Sequence, residues 1–303
     1  MAQILVSGLV NVETTLKVRQ FPIEYYPIDY PFFGVDTAVS GVGYNIAGAL
    51  TALGDQVMLS GFVGSDFQAA YIRQTLESRG ISTEHLLPQI ERTPSSVILY
   101  DPSGRRQVWC DLKDVQQQNY PFTEQMLDGV DLVAACNINF NRPLLAMAKA
   151  AGKIIATDVH VFSNIYDDYN RDFLQAADIL FLSDEALGDD YGAFLRSIAD
   201  TYGTKIIVLG RGGKGAAICE NGTVISLPSV QVGPVVNTVG AGDALFSAFI
   251  HYYVQGLSSL DALMRAQLFA SAKIGANGGG NGFVTEDQIE TYYRCFAADM
   301  KPF

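Results

Sequence analysis

Six short apolar runs, rich in β-branched residues, constrain the fold of this chain more than any other feature of the sequence. Helical patterns separate several of them. Continuously apolar strands are typical of a sheet that is buried on both faces, because each strand then packs against helices on either side. The alternation therefore predicts an α/β fold with a doubly wound, mostly parallel sheet flanked by helices. The runs are residues 4–9, 56–64, 130–136, 153–159, 177–182 and 205–210.

Four segments between these runs carry the apolar periodicity of helices and end at a glycine. In residues 44–54, the side chains of Ile46, Leu50 and Leu53 share one helix face, and Gly54 is a C-terminal cap. Glycine at this place favours the left-handed turn that ends many helices. The other predicted helices are 66–80 with Asp66 as N-cap, 142–152 and 191–203.

Two segments interrupt this alternation. Residues 11–39 form short alternating pieces with three prolines and six aromatic side chains, and residues 92–113 are typical of a hairpin around Pro102, Ser103 and Gly104. We expect both to supply strands outside the main sheet. Because no linker is evident between the segments, the prediction is one domain over residues 1–303.

The composition excludes several classes of function. Apolar residues make up 49% of the chain and charged residues 17%, which indicates a well-packed globular protein. The net charge is -12, so binding to nucleic acid or to an anionic membrane is disfavoured. The first residues are typical of a strand rather than a signal peptide, and no apolar run is long enough to cross a membrane.

The cysteines indicate a reducing compartment. Cys110, Cys136, Cys219 and Cys295 are far apart in the sequence and form no C-x-x-C pair. Neither a zinc site nor a disulfide framework is therefore expected. We expect a cytoplasmic location.

The stretch "NTVGAGDALFSAF", residues 237–249, carries the strongest functional signal. Gly240, Ala241 and Gly242 precede an apolar helix whose first turn contains Asp243. The first turn of a helix offers unpaired N–H groups to an anion, and glycine allows a close approach. A carboxylate at this place can simply complement the helix dipole. Beside a glycine-lined anion site, it is also what phosphoryl transfer needs, because a base must accept the proton of the attacking hydroxyl.

A second glycine-rich stretch, "GRGGKG" at residues 210–215, satisfies the dinucleotide fingerprint G-x-G-x-x-G. That fingerprint requires a helix next. The following residues instead predict a hairpin that turns at Asn221 and Gly222, so a dinucleotide site is disfavoured. No segment matches the P-loop pattern G-x-x-x-x-G-K-[ST].

Residues 237–249 resemble the C-terminal signature of the ribokinase-like (PfkB) carbohydrate kinases, D-T-x-G-A-G-D. Residues 40–54 resemble the family's N-terminal signature G-G-x-x-x-N-x-A. The resemblance continues along almost the whole chain. It includes residues 7–13, 61–83 and 208–216, which are similar to the family's first strand, its G-x-x-G-x-D segment and its nucleotide-side T-x-G-x-x-G-A turn.

The resemblance implies ATP-dependent phosphorylation of a hydroxyl, usually a primary one, of a sugar or nucleoside. Asp243 would be the general base, and the amides of residues 240–242 would form the anion hole. Mg²⁺ would travel with ATP, held by phosphates and water more than by protein. Residues 11–39 and 92–113 would form a lid over the sugar. Their aromatic side chains would cover the ligand or, as we favour, form a lid core or a homodimer contact.

The same resemblance assigns the binding residues. Substrate hydroxyls would be bound by Asn11, Glu13, Gly41 and Asn45. The nucleotide side would be formed by Gly212, Gly215, Thr238, Gly240, Gly242, Ala272 and Asn277. We regard Arg105 and Arg106 as solvated turn residues and the three histidines, His85, His160 and His251, as structural.

Three departures from the family pattern matter. The leading Asp of the C-terminal signature, which helps to hold a monovalent cation in ribokinases, is Asn237 here, so activation by K⁺ is in doubt. The N-x-x-E segment that serves the Mg²⁺ water shell is replaced by a stretch with Ser183 and Ala186, and no protein ligand for a metal is assigned. Gly210 replaces the threonine of the nucleotide-side turn.

Two alternatives to a sugar kinase remain open. A nucleoside kinase would carry the same signatures. A non-catalytic sugar-binding regulatory protein could use the same fold, since fold does not fix function. Asn237 gives the second idea weight, whereas Asp243 and its glycines argue against it.

Overall fold

The structure is a computed structural model that describes residues 1–103, 105–188 and 190–303. The strands are β1 Gln3–Ser7, β2 Asn11–Lys17, β3 Val35–Ser40, β4 Gln56–Phe62, β5 Leu86–Leu87, β6 Ser95–Tyr100, β7 Arg106–Asp111, β8 Leu132–Ala135, β9 Ile154–Val161, β10 Ile179–Ser183, β11 Ile206–Gly210, β12 Ala216–Glu220 and β13 Thr223–Leu227. The helices are α1 Val42–Ala52, α2 Phe67–Ser78, α3 Arg142–Ala150, α4 Arg171–Ala176, α5 Tyr191–Tyr202, α6 Ala241–Val254, α7 Ser259–Lys273 and α8 Glu286–Phe296.

The main sheet confirms the predicted fold class. Its nine strands lie in the order β13-β12-β11-β10-β9-β8-β1-β4-β5. All pairs from β11 to β5 are parallel, while β12 and β13 add an antiparallel edge. Each of the six apolar runs overlaps one of the parallel strands. Because the carboxyl ends of parallel strands meet at one edge, the loops that follow them can build a single site there.

Two apolar clusters cover the two faces of this sheet. Successive side chains of a strand point to opposite faces, so Ile4 and Val6 of β1 pack into one cluster and Leu5 packs into the other. The first cluster takes in α1, α2, α6, α7 and α8, and the second takes in α3, α4 and α5. Burial of each such side chain contributes about 1.5–3 kcal/mol. The packing fixes α1 and α6 beside each other over the strand ends.

A separate four-stranded sheet, here called the small sheet, has the order β3-β2-β6-β7. The β2–β6 pair is parallel and the two outer pairs are antiparallel. These four strands come from residues 11–40 and 95–111, that is, from the two segments that interrupt the alternation of strands and helices. The expectation that these segments supply strands outside the main sheet is therefore confirmed. The predicted turn residue Gly104 lies outside the described residues.

The helix boundaries agree with the sequence patterns to within a few residues. Asp66 caps α2 by accepting a hydrogen bond from the amide of Ala69 at 2.9 Å. Gly203 ends α5 in the left-handed conformation. The predicted start of α1 at residue 44 is two residues late, because the turn at Gly41 allows the helix to begin at Val42. Within the described ranges, we find no helix with both the length and the apolarity that crossing a membrane requires.

Candidate active site

The predicted catalytic and substrate-binding residues come together where the small sheet faces the starts of α1 and α6. Asn11 and Glu13 lie on β2, which pairs with β3 so that Asn11 is opposite Ser40. Gly41 then turns the chain into α1, with φ 106°. A Cβ at Gly41 would lie 2.5 Å from the carbonyl oxygen of Leu9, so only glycine fits this turn.

Asp243 lies in the first turn of α6, and its carboxylate is held by α1. The side-chain amide of Asn45 donates a hydrogen bond to Oδ2 of Asp243 at 2.7 Å. Burial raises the pKa of Asp243, and the charge of Asp158 raises it further, while Asn45, His160 and Lys273 oppose the shift. A carboxyl group whose pKa is raised is a better proton acceptor once it is ionised.

The turn before α6 opens the helix N-terminus. Gly240 is the N-cap with φ 77°, and a Cβ there would lie 2.5 Å from the carbonyl oxygen of Gly279. Gly242 is exposed, and a Cβ at this position would meet no atom within 4 Å. The amide of Ala241 donates to the carbonyl oxygen of Thr238 at 3.2 Å. Of the three predicted anion-hole amides, that of Ala241 is therefore engaged inside the turn.

Buried oxygens that accept hydrogen bonds surround the opposite side of the site. Glu13 is 4% exposed and accepts a hydrogen bond from Oγ of Ser40 at 2.9 Å. Asn11 donates to Oγ of Ser96 at 3.1 Å. The side-chain oxygens Oδ1 of Asn11 and of Asn45 are buried and, among the described residues, have no hydrogen-bond partner. A ligand that carries several hydroxyl groups supplies the donors that such oxygens need.

The charges around Glu13 show whether the substrate side of the site is acidic or basic. Burial raises the pKa of Glu13, and the nearby charges of Asp243 and Asp36 raise it further. The bond from Ser40 and the charge of Lys273 lower it. Among the described residues, Glu13 forms no salt bridge with a lysine or arginine. This side of the site is acidic.

The loop after α7 closes the site from behind. A Cβ at Gly279 would lie 2.7 Å from Nδ2 of Asn45, and one at Gly280 would lie 2.3 Å from Cε1 of Tyr44. Glycines at these two positions let the main chain pack directly against α1. The loop therefore contacts both Asn45 and the Gly240 turn.

Lys273, at the end of α7, is the site residue that the sequence patterns do not reveal. Its side chain is fully buried, and its ammonium group donates to the carbonyl oxygens of Val239 and of Gly278, the latter at 2.8 Å. Burial lowers its pKa to about 8, although the charges of Asp243 and Glu13 oppose the shift. In the sequence, Lys273 is an ordinary last-turn lysine, and only the fold shows its partners.

One arginine of the small sheet, Arg106, contacts residues of the main domain beside the site. Nη1 of Arg106 donates to Oγ1 of Thr238 at 2.7 Å, and its Nη2 lies 3.9 Å from Oε1 of Glu185. The neighbouring Arg105 pairs with Asp101 at 2.8 Å in its own hairpin and donates to the carbonyl oxygen of Phe21 at 3.0 Å. The interpretation of both as solvated turn residues therefore fails for Arg106, whose long side chain bridges two parts of the fold.

The residues predicted for the nucleotide are divided between two places. Gly212 lies in an exposed turn after β11, while Gly215 has φ 99° and packs against the main chain of Leu227. The hairpin of β12 and β13 follows this turn, so the helix required for a dinucleotide site is absent from that segment. Thr238, Ala272 and Asn277 belong to the second place: the amide of Asn237 donates to the carbonyl oxygen of Ile274, at the end of α7.

Two further polar side chains lie near Asp243, and one histidine lies away from it. Asp158 and His160, at the end of β9, are close enough for their charges to affect the carboxyl group of Asp243. The sequence did not single out Asp158, and it led us to interpret His160 as structural, whereas the fold brings its charge near Asp243. His251 instead bonds Asp55 in the core, with 2.6 Å between Nδ1 and Oδ2, and it lies away from the site.

Metal ligands and cysteines show no clusters in the part of the chain that the structure describes. No group of three or more His, Cys, Asp or Glu side chains there could hold a metal ion. Asp184 lies 3.8 Å from Nε of Arg211 and 3.7 Å from Nζ of Lys214, so its charge is already compensated. Cys110, Cys136, Cys219 and Cys295 are all free thiols.

Comparison with known proteins places this geometry in one family. Residues 1–286 match the family model described as pfkB family carbohydrate kinase. The acarbose 7(IV)-phosphotransferase of an Actinoplanes species is 25% identical over 275 residues, which cover 89% of this chain and 90% of the relative. The 1-phosphofructokinase of Haloferax volcanii is 29% identical over 255 residues, covering 78% and 80%.

The solved structures agree on the fold. The crystal structure of a putative ribokinase from Agrobacterium tumefaciens superposes with a TM-score of 0.86 at 22% sequence identity. The match covers 98% of this chain and 99% of that one. The main sheet and its flanking helices are therefore shared along nearly the whole length of both chains.

Proposed function

This chain is an ATP-dependent kinase of the PfkB family of carbohydrate kinases, and we propose that it phosphorylates a hydroxyl group of an uncharged sugar or sugar-like molecule. The observation that carries this proposal is the convergence of Asp243 with the buried amide oxygens of Asn11 and Asn45, which have no hydrogen-bond partner in the described part of the chain. The oxygens supply acceptors for ligand hydroxyls, and the carboxylate supplies a base beside them.

The transfer uses Asp243 as the general base. Its carboxylate takes the proton of the acceptor hydroxyl while the hydroxyl oxygen forms a bond to the γ-phosphorus of ATP. The bond from that phosphorus to the bridging oxygen breaks, and its electron pair leaves with ADP. Asn45 holds the carboxylate in place at 2.7 Å. The helix N-terminus at Gly240 and Gly242 stabilises the negative charge on the phosphoryl oxygens.

The acceptor carries no negative charge in this proposal. Glu13 is buried without a salt bridge among the described residues, and Asp36 and Asp243 add two negative charges around it, against the single positive charge of Lys273. A phosphate or carboxylate on the acceptor would be repelled there. A neutral ligand with several hydroxyl groups can bond Glu13 together with the amide oxygens of Asn11 and Asn45, which accept no bond from residues 1–103, 105–188 or 190–303.

The nucleotide binds on the other side of the Gly240 turn. We assign to it the exposed turn at Gly212 and the end of α7 near Ala272 and Asn277. The strand end that leads into the first of these faces α6, since a Cβ at Gly210 would lie 3.8 Å from Leu245, and the second is tied to the Gly240 turn by the bond from the amide of Asn237 to Ile274. Gly215 and Thr238 shape the same two places. Mg²⁺ arrives with ATP and neutralises its phosphate charge, and no protein ligand is assigned to it.

A panel of acceptors tests the proposal. ADP release is measured with neutral sugars, sugar phosphates and nucleosides, each with and without the wild-type protein. Turnover with one or more neutral sugars is expected, and sugar phosphates are expected to react slowly. Turnover only with nucleosides would show that the protein is a nucleoside kinase and not a sugar kinase. Ligand binding without any ADP release would favour a non-catalytic sugar-binding protein.

The rest of the molecule supports proposals about its domain organisation, its oligomeric state and its location. We propose that residues 1–303 act as one kinase domain with the small sheet as its lid. The exposed apolar side chains of that sheet, including Val97, Val108 and Trp109, support a homodimer through the lid. The four free thiols and the net charge of -12 support a cytoplasmic enzyme that does not bind nucleic acid.

A further inference from the structure

We propose that the ammonium group of Lys273 is the resident cation of this active site, in place of the monovalent metal ion that ribokinases hold there, so that turnover does not require K⁺. This inference rests on the proposed kinase function. It gives a role to a buried charged residue that neither the sequence patterns nor the resemblance singles out.

The geometry places the cation directly behind the anion site. Lys273 donates to the carbonyl oxygen of Val239, the residue immediately before the Gly240 N-cap. It also donates to the carbonyl oxygen of Gly278 at 2.8 Å, immediately before Gly279, which packs against Gly240. One ammonium group therefore ties together the two loops that form the helix N-terminus.

The surrounding charges explain why a lysine can be buried here. An isolated buried ammonium is costly unless it is paired and hydrogen-bonded. The carboxyl groups of Asp243 and Glu13 both stabilise the charged form of Lys273. Arg106, on the small sheet, is the cation that opposes it. The two carboxylates of the acceptor side thus share this internal counter-charge.

The same groups do not fit a monovalent metal ion. Such an ion needs several oxygen ligands, and the oxygens of Val239 and Gly278 already accept from Lys273. The carboxylate that ribokinases supply is absent, because Asn237 is neutral. Its Oδ1 already accepts a hydrogen bond from the amide of Val239 at 2.9 Å. In this chain a neutral Asn237 and a buried Lys273 therefore stand at the same turn.

Lys273 acts as a positioning residue and not as a catalytic one, because it bonds the main chain rather than the reacting atoms. Its charge makes the N-terminus of α6 more positive, where negative charge develops during transfer. It also fixes the Gly240 turn relative to the loop at Gly279. Both effects are of the kind that a bound cation would supply.

Wild-type turnover gives the first test. ADP release is measured with the best acceptor in buffer whose only monovalent cation is tetramethylammonium, and K⁺ is then added. The rate is expected to change by less than about twofold, a negligible difference in activation free energy. A wild-type enzyme that is inactive until K⁺ is added would overturn the proposal.

Two variants of Lys273 give the second test. Lys273→Ala is expected to lose turnover on the order of 10²-fold, as when one charge-stabilising donor is removed. Ammonium or K⁺ is expected to restore part of that loss in the alanine variant, where space is free, and not in Lys273→Met, where the side chain fills it. Lys149→Ala is the matched control, because Lys149 also donates to a main-chain carbonyl oxygen but lies on the surface. Full turnover of a folded Lys273→Ala without any added cation would refute the assignment.

A melting experiment separates this inference from the kinase proposal. The double variant Asn237→Asp/Lys273→Ala restores a carboxylate and frees the two carbonyl oxygens. Its melting temperature is expected to rise with K⁺, whereas that of the wild type is expected to stay constant. The readout needs no acceptor, so it remains decisive if no acceptor is phosphorylated. A wild type that K⁺ stabilises as strongly as the double variant would contradict the inference.

Discussion

At the scale of single residues, Asp243 combines function with a cost in stability. Its pKa is raised by burial, so the folded state disfavours the ionised form. Between the unfolded and the folded pKa, the folded protein binds more protons, and stability therefore falls as the pH rises through this window. The protein carries this cost in full above the folded pKa of Asp243, where the carboxylate is ionised.

The variant Asp243→Asn is therefore expected to be more stable than the wild type at neutral pH. The asparagine side chain can still accept the hydrogen bond from Asn45, and it carries no buried charge. Urea unfolding at neutral pH and below the ordinary pKa of Asp, 3.8, checks this. The gain should disappear in acid, and a variant that is less stable at neutral pH would speak against a strained carboxylate.

The pH dependence of turnover should show two limbs. The acid limb comes from protonation of Asp243, whose pKa lies above its ordinary value. The alkaline limb comes from loss of the Lys273 charge, whose pKa is lowered to about 8. Rates measured from acid to alkaline pH with wild type and Lys273→Met check this. The alkaline limb should be absent from the variant, and an identical limb in both proteins would exclude Lys273 as its source.

At the scale of elements, the turn before α6 depends on one glycine. Gly240→Ala would place a Cβ 2.5 Å from the carbonyl oxygen of Gly279 in a left-handed conformation. Such a residue costs about 1–3 kcal/mol. We expect a lower melting temperature and a turnover reduced at least tenfold, since the loop moves away from α6. Gly233→Ala serves as the control for stability, because a Cβ there meets no atom within 4 Å.

The small sheet is joined to the site by Arg106. Arg106→Ala removes the bond to Thr238, and we expect kcat/KM to fall about tenfold, as for a lost charge-assisted hydrogen bond. Arg105→Ala, on the adjacent residue, should leave kcat/KM nearly unchanged, because Arg105 bonds Asp101 and the carbonyl oxygen of Phe21, and neither of these partners belongs to the site. Equal effects of the two variants would show that Arg106 acts only through the stability of the hairpin.

Elements were more predictable from the sequence than contacts between them. The apolar runs predicted the strands because burial on both faces demands continuous apolar sequence. Asp243 and its glycines were evident because a local turn carries their chemistry. The bond from Asn45 to Asp243 joins two signatures that are far apart in the chain. The partners of Lys273 are main-chain oxygens, which no residue pattern records.

At the scale of the whole molecule, pH couples the site to stability. The pKa of Lys273 falls from its ordinary 10.5 to about 8 in the folded protein. Between these values, the unfolded chain binds more protons, so this group makes the protein more stable as the pH rises. The free energy of unfolding of the wild type, relative to Lys273→Met, should therefore increase over this window. A constant difference would mean that the folded pKa of Lys273 is not lowered.

In the proposed reaction, Asp243 serves phosphoryl transfer from ATP to a neutral sugar. The most direct measurement is single-turnover transfer of the γ-phosphoryl group to the best neutral acceptor by wild type and Asp243→Asn, with ATP binding measured in parallel. We predict equal ATP binding and a transfer rate that falls by about 10²- to 10⁴-fold in the variant. A folded Asp243→Asn protein that transfers the phosphoryl group at the wild-type rate would contradict the account.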